Sequence, residues 1–138
     1  MESRAFHHAF LVRDIEETRR FYVDVLGCRE GRSTATWIDL DLFGNQLSAH
    51  LGTPPPPANV GHVDGIVVPL PHFGAVVSFE DYDRLATRLA AAEVTFIVTP
   101  RVRYPGQPGE QGTFFFLDPS GNALEFKAFR NPEEMFAK

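Results

Sequence analysis

Apolar and polar residues alternate along much of the chain in short runs typical of β-strands, and two longer stretches repeat with the period of an α-helix. The first predicted helix follows Val12, with Asp14 as a candidate N-cap and Gly27 at its end. The second covers residues 80–94, and the tail predicts a further short helix. The predicted strands lie at 5–12, around 28–32, 36–42 and 46–51, and at 71–79, 94–102, 112–119 and 122–129.

The predicted elements repeat in the order βαβββ, connector, βαβββ, so we aligned the two halves. When HHAFLV is set over HFGAVV, His7 falls on His72. When GNQLSAH is set over GNALEFK, Ser48 falls on Glu125. The order predicts an α+β fold made of two βαβββ modules.

The chain length fits one domain, 1–138. We place module one at about 5–52 and module two at about 71–130, followed by a C-terminal tail at 131–138. Residues 53–70 contain four consecutive prolines, which favour an extended and stiff connector between the modules.

Residues two apart on a strand share a face of the sheet, so the alternation tells which side chains point away from the helices. On the first predicted strand of each module, His7 and His72 share that face. On the last strand, Leu124 and Phe126 point to the helix, so Glu125 points to the same side as the histidines. An ionised carboxylate beside a core is costly unless a positive group meets it.

Composition narrows the class of protein. The 138 residues are 43% hydrophobic with 13 phenylalanines, which is enough for a globular core. A net charge of −5 without any lysine or arginine run argues against nucleic acid and anionic membranes as partners. One cysteine, an N-terminus unlike a signal peptide and the lack of a long apolar run predict a cytoplasmic protein.

Two neutral imidazoles and one carboxylate on one surface suit a divalent metal ion. His7, His72 and Glu125 are therefore candidate ligands, and a bound cation would compensate the charge of Glu125. Three protein ligands on one side leave the opposite positions open for water, oxygen or substrate.

Two stretches resemble the vicinal oxygen chelate superfamily, also called the glyoxalase/bleomycin resistance/dioxygenase superfamily. Residues 7–27 resemble its opening strand and helix, and residues 118–126 resemble its closing hairpin. The resemblance implies two βαβββ modules that form a cup-shaped mixed sheet, with His7, His72 and Glu125 as the metal ligands. It also implies a homodimer.

A fourth family ligand, a Glu or Gln at the twin of Glu125 in glyoxalase I and methylmalonyl-CoA epimerase, is replaced by Ser48, a poor ligand. Gln46 lies two residues away on the same face, so either Gln46 or water could fill that position. This difference favours the three-ligand members: extradiol dioxygenases and the fosfomycin-resistance thiol transferases.

Other candidates surround the predicted site. His50, on the face of Gln46 and Ser48, is the candidate general acid or base. Gln46, Ser48, Tyr104 and Phe115 are the candidate substrate-binding residues.

Three functions stay open. The first is an iron(II) extradiol-type dioxygenase acting on a small vicinal-diol aromatic. The second is a glyoxalase-like lyase or isomerase, or a thiol transferase, using a redox-inert ion such as manganese, zinc or nickel. The third is a metal-free binding protein like the bleomycin-resistance members of the family.

Overall fold

The computed structural model describes residue 2 and residues 4–138. Contacts divide the chain into two compact units. The first unit comprises residues up to Pro56 together with Asp118–Asn122, and the second comprises Pro57–Leu117 and Ala123–Lys138. Each unit contains one four-stranded sheet. No helix in the described part of the chain is long and apolar enough to cross a membrane.

The first unit is a βαβββ module. Its elements are β1 (His7–Val12), α1 (Ile15–Arg19), a π-helical turn (Arg20–Val25), β2 (Arg29–Ser33), β3 (Trp37–Leu42) and β4 (Asn45–Leu51). The strand order is β1-β4-β3-β2, and β1 runs parallel to β4 while the other neighbours are antiparallel. The Asp14 carboxylate accepts a 2.7 Å hydrogen bond from the Glu17 amide, which caps α1 as predicted.

Five residues from a later hairpin turn, Asp118–Asn122, complete the first unit. Tyr22, which is fully buried, donates a 2.9 Å hydrogen bond to Asp118 Oδ2. The Asn122 side chain donates to the Leu11 carbonyl oxygen, and Ser120 Oγ accepts from the Arg13 amide, each at 2.9 Å. These bonds fix the turn on the first unit.

The second unit repeats the module. Its elements are β7 (His72–Val76), α2 (Phe79–Ala91), β8 (Phe96–Arg103), β9 (Gln111–Leu117), β10 (Ala123–Phe129) and a 3-10 turn (Pro132–Glu134). The strand order is β7-β10-β9-β8, with β7 parallel to β10. Tyr82 of α2 packs on Phe114, and Phe114 packs on Phe126, so this side of the sheet is the core.

Part of the segment predicted as a connector folds as a hairpin. Strands β5 (Ala58–Val63) and β6 (Ile66–Leu70) pair with each other and belong to the second unit. Their inner side chains, Val63 and Val68, form a buried cluster with Val98 and Phe115. The consecutive prolines precede this hairpin, so the stiff stretch is shorter than residues 53–70.

The α+β class and the two βαβββ modules are confirmed by this topology. The helix periods and strand alternations in the sequence predict this fold correctly, because each module buries one sheet face under one helix. The first helix differs in form: after Arg19 it widens into a π-helical turn.

Candidate functional site

His72 and Glu125 lie side by side on neighbouring parallel strands of the second unit. In the register of β7 and β10, Glu125 pairs with Gly74, two residues from His72. This arrangement brings His72 Nε2 to 3.3 Å from Glu125 Oε1. Their side chains are 22% and 11% exposed, so both can still be reached from solvent.

The tautomer of His72 is fixed by its second nitrogen. His72 Nδ1 lies 2.8 Å from the Pro69 carbonyl oxygen, which can only accept, so Nδ1 donates. In a neutral ring the lone pair is then on Nε2, facing the Glu125 carboxylate. Two acceptors at this distance require a proton or a cation between them. In agreement, the hydrogen bond with Glu125 raises the pKa of His72, although burial opposes the shift.

The other oxygen of Glu125 is held by buried Thr113. Its hydroxyl donates a 2.5 Å hydrogen bond to Glu125 Oε2, and Lys127 Nζ lies 3.9 Å from the same oxygen. Thr113 therefore orients the carboxylate so that Oε1 is directed to His72. We call the side of the second sheet that carries His72, Thr113, Glu125 and Lys127 the polar face.

Gly74 is required by the close approach of β7 to β10. A Cβ atom at this position would lie 1.6 Å from the backbone oxygen of Glu125. Any side chain at Gly74 would thus displace the strand that carries Glu125.

Phe115 lies beside the histidine but is buried. Its ring packs edge-on against His72, with centroids 4.9 Å apart, and it is 1% exposed. It supports the imidazole from below and does not present an open apolar wall.

In the first unit, His7 and Gln46 are neighbours across β1 and β4. His7 Nδ1 lies 2.9 Å from Gln46 Oε1, and because an amide oxygen only accepts, Nδ1 donates. The lone pair of a neutral His7 is then on Nε2, the state in which an imidazole binds a metal ion.

Ser48 donates a hydrogen bond to a carboxylate that is not among the predicted site residues. Its hydroxyl, 8% exposed, donates a 2.6 Å hydrogen bond to Asp39 Oδ1 across β3 and β4. Ile38 and Leu40, on either side of Asp39, are buried. Because side chains alternate between the two faces along a strand, Asp39 points to the other face of the first sheet, which we call its open side, and the sequence pattern predicts this position. His50 is exposed on the same side and pairs with Trp37 in the register.

Tyr104 lies just after β8, in the second unit. It has a φ angle of 54°, is 46% exposed, and its hydroxyl accepts a 3.2 Å hydrogen bond from Arg103 Nη2.

The donor pair of the second unit fits a divalent ion. Two ligands that are each about 2.1 Å from one ion lie roughly 3.0 to 3.4 Å apart, and His72 Nε2 and Glu125 Oε1 are 3.3 Å apart. Among residue 2 and residues 4–138, no three His, Cys, Asp or Glu side chains form a group that could hold a metal ion. His7 belongs to the first unit.

The sequence matches the Glyoxalase/Bleomycin resistance protein/Dioxygenase superfamily over residues 4–126, which is most of the chain. The chain belongs to this superfamily. Superfamily members include the enzymes and the binding proteins that its name describes. No curated protein matches the sequence.

Solved structures of the superfamily resemble the chain over nearly its whole length. A glyoxalase/bleomycin resistance protein/dioxygenase from Alicyclobacillus acidocaldarius is 32% identical, with a TM-score of 0.79 over 98% of this chain and 99% of that chain. The fosfomycin resistance protein FosX from Listeria monocytogenes is 20% identical, with a TM-score of 0.71 over 97% and 98%. FosX from Mesorhizobium loti is 19% identical, with a TM-score of 0.65 over 99% and 100%.

Proposed function

We propose that the chain is a metal-dependent enzyme of this superfamily, with His7, His72 and Glu125 as the ligands of one divalent ion. The observation that carries the proposal is the His72–Glu125 pair, whose facing acceptors are 3.3 Å apart. A structural ion pair would satisfy them with a proton, whereas an ion would satisfy them and also leave positions for a substrate.

The surrounding residues prepare the ligands. The Pro69 carbonyl and Gln46 each accept a hydrogen bond from a histidine Nδ1–H, so that the lone pair of the neutral ring is on Nε2 in His72 and in His7. The Thr113 hydroxyl holds one oxygen of Glu125, so that the other oxygen is directed to His72. A bound ion would supply Lewis acidity and, in the case of iron(II), electron exchange with O₂.

The leading chemistry in this proposal is extradiol-type cleavage of a small vicinal-diol aromatic with iron(II). Two histidines and one carboxylate with open positions form the donor set typical of non-haem iron(II) oxygenases. His50, exposed on the open side of the first sheet, is the proposed base that accepts a proton from a substrate hydroxyl. Gln46, Ser48 and Tyr104 stay the proposed substrate contacts.

A second candidate is a lyase, isomerase or thiol-transfer reaction with manganese, zinc or nickel. The support is the fold shared with two fosfomycin resistance proteins, together with a donor set that also accepts these ions. A metal-free binding protein is the third outcome that the following experiment distinguishes.

Metal content under anaerobic purification tests the proposal. We expect about one iron per chain by elemental mass spectrometry, and loss of the metal in Glu125→Ala. Glu80→Ala is the matched control, because Glu80 is an exposed carboxylate on α2. Oxygen uptake with catechols would then support the dioxygenase.

Other outcomes redirect or overturn the proposal. Stoichiometric zinc, nickel or manganese that is lost in Glu125→Ala would move the assignment to the second candidate. Protein that stays without metal after reconstitution, in both wild type and variant, would overturn the enzyme and favour a ligand-binding protein.

The homodimer implied by the family resemblance stays part of the proposal. Size-exclusion chromatography with light scattering tests it, and a mass of a single 15.4 kDa chain would contradict it.

A further inference from the structure

Two arginines extend the polar face of the second sheet. Arg101 and Arg103 lie on β8, where Arg101 pairs with Thr113 and Arg103 pairs with Gln111. Thr113 also pairs with Lys127 on its other side. Arg101 and Lys127 therefore flank the threonine that holds Glu125.

Both arginine side chains are mostly buried, at 31% and 21% exposed. Side chains of this length and charge are seldom buried unless their charge is paired. The charge of this pair has to be met by the groups around it.

The two guanidinium groups share one carboxylate, at the turn between β5 and β6. Asp64 Oδ2 lies 3.8 Å from Arg101 Nη1, and Asp64 Oδ1 lies 3.4 Å from Arg103 Nε. Neither contact is the two-pronged pairing that a guanidinium makes with a carboxylate at full strength. Asp64 is itself 43% exposed, so it faces the solvent.

The hydrogen bonds of the pair are also incomplete. Arg101 Nε and Arg103 Nε are shielded from solvent, yet neither donates a hydrogen bond to any described atom of the protein. The 3.4 Å approach of Arg103 Nε to Asp64 is an ionic contact that lacks hydrogen-bond geometry. Arg103 Nη2 donates to the Tyr104 hydroxyl at 3.2 Å, and its guanidinium lies 5.0 Å from that ring.

The local charge is opposite in sign to that of the whole chain. Three cations, Arg101, Arg103 and Lys127, against two carboxylates, Asp64 and Glu125, leave one positive charge here, whereas the whole chain has a net charge of −5. A planar fork of N–H donors matches the oxygens of a carboxylate or a phosphate. An oxyanion would supply both the missing charge and the missing acceptors.

We infer that Arg101 and Arg103 bind an oxyanion, a carboxylate or phosphate group, and that this group is part of the substrate. The identification of the oxyanion with a substrate rests on the proposed function. Neighbouring strands are about 4.8 Å apart, and β8 is separated from β10 by β9 alone. The backbones of these two strands are therefore roughly 10 Å apart, a separation that a small molecule with one anionic end can span.

Isothermal titration calorimetry of inorganic phosphate into the metal-free 138-residue chain, at constant ionic strength, tests the inference. We expect saturable binding by the wild type, and a weakening of about tenfold or more in the double variant R101Q/R103Q. The double variant R29Q/R84Q is the matched control, because Arg29 and Arg84 are exposed and their replacement removes the same two charges. It should leave phosphate binding unchanged.

Arg103→Lys guards against a variant that fails to fold. It keeps the charge but loses the fork, so binding should weaken less than in the double variant. The inference would be overturned if Arg103→Lys, and any double variant that folds, bound phosphate with the same affinity as the wild type. So would the absence of saturable binding by the wild type up to about 50 mM phosphate.

The outcome is separable from that of the proposed function. Phosphate binding is measured without metal, and the metal content of R101Q/R103Q is measured separately. Phosphate binding without metal loading would support the oxyanion site while the enzyme proposal fails. Metal binding without a phosphate site would do the reverse.

Discussion

His72 Nε2 and Glu125 Oε1 face each other at 3.3 Å. The other ring nitrogen of His72 and the other carboxylate oxygen of Glu125 each form a hydrogen bond with a different residue. The Pro69 carbonyl accepts a hydrogen bond from His72 Nδ1, and the Thr113 hydroxyl donates one to Glu125 Oε2. The pair is thus held in position by groups outside it. Such outer contacts set ligand orientation and basicity in metal sites.

Thr113→Val should lower metal affinity by about 10- to 100-fold. Valine keeps the volume of the buried side chain but removes the hydroxyl that orients Glu125. Competition with a chromophoric chelator measures the affinity directly.

Thr113→Ser is the control, because it retains the hydroxyl while it loses a methyl group. Recovery of metal affinity in Thr113→Ser would show that orientation is responsible. Equal affinity in wild type and Thr113→Val would contradict the role of Thr113.

Gln46→Leu should lower metal affinity by about tenfold, since His7 would lose the acceptor that fixes its Nδ1 proton. Gln46→Glu retains an acceptor oxygen and should bind metal at least as tightly as the wild type. Metal titration of the two variants side by side provides the measurement. Unchanged affinity in Gln46→Leu would exclude a part for this side chain, either as an orienting group or as a fourth ligand.

Gly74→Ala should destabilise the protein by about 3 kcal/mol or abolish folding. The added Cβ would lie 1.6 Å from the backbone oxygen of Glu125, and a backbone atom cannot rotate away as a side chain does. Urea denaturation followed by circular dichroism measures the loss.

Gly44→Ala separates this clash from backbone strain. Gly44 has a φ of 84° and open space around it, so alanine there costs about 1–2 kcal/mol. Similar losses at the two positions would contradict the close approach as the cause.

Tyr22→Phe should lower the free energy of unfolding by about 1–2 kcal/mol, and this loss of stability should grow as the pH rises. Burial raises the pKa of the Asp118 carboxyl above its ordinary range near pH 4. The stability that Asp118 contributes is fully present below the pKa that this carboxyl has in the unfolded chain. It is lost as the pH rises through the raised pKa that the carboxyl has in the folded chain. Removing the Tyr22 hydroxyl removes a donor to the carboxylate, which raises the folded pKa further.

Denaturation at pH 4 and pH 7 gives the comparison, with the larger deficit expected at pH 7. Tyr82→Phe is the control, because the Tyr82 hydroxyl donates to the Thr113 backbone carbonyl and not to a carboxylate. Its deficit should be the same at the two pH values. A Tyr22→Phe deficit that is largest at pH 4 would reverse the sign of the argument.

The two-module fold could be predicted because its signals are local. Helix periods, strand alternation and the Asp14 cap each depend on a few consecutive residues. The alternation also placed Glu125 and His72 on one side of the same sheet, where they are neighbours. The ligand set that includes His7 stays a prediction.

The remaining features depend on residues far apart in the sequence. The contact between Gly74 and Glu125 follows from a parallel pairing across about fifty residues, which no local pattern encodes. The sequence does not predict the β5–β6 hairpin, because the prolines before it favour an extended connector over residues 53–70. Ser48 was read as a missing ligand, whereas its hydroxyl serves Asp39.

The first unit is made of two separate pieces of the chain, since it takes Asp118–Asn122 from the turn between β9 and β10. A protease that cut within the proline stretch before Pro57 would therefore not release either half. The C-terminal fragment would still carry the acceptor of Tyr22, and the N-terminal fragment would still carry the acceptor of Asn122. Two clean bands on a denaturing gel would then coexist with a single species under native conditions.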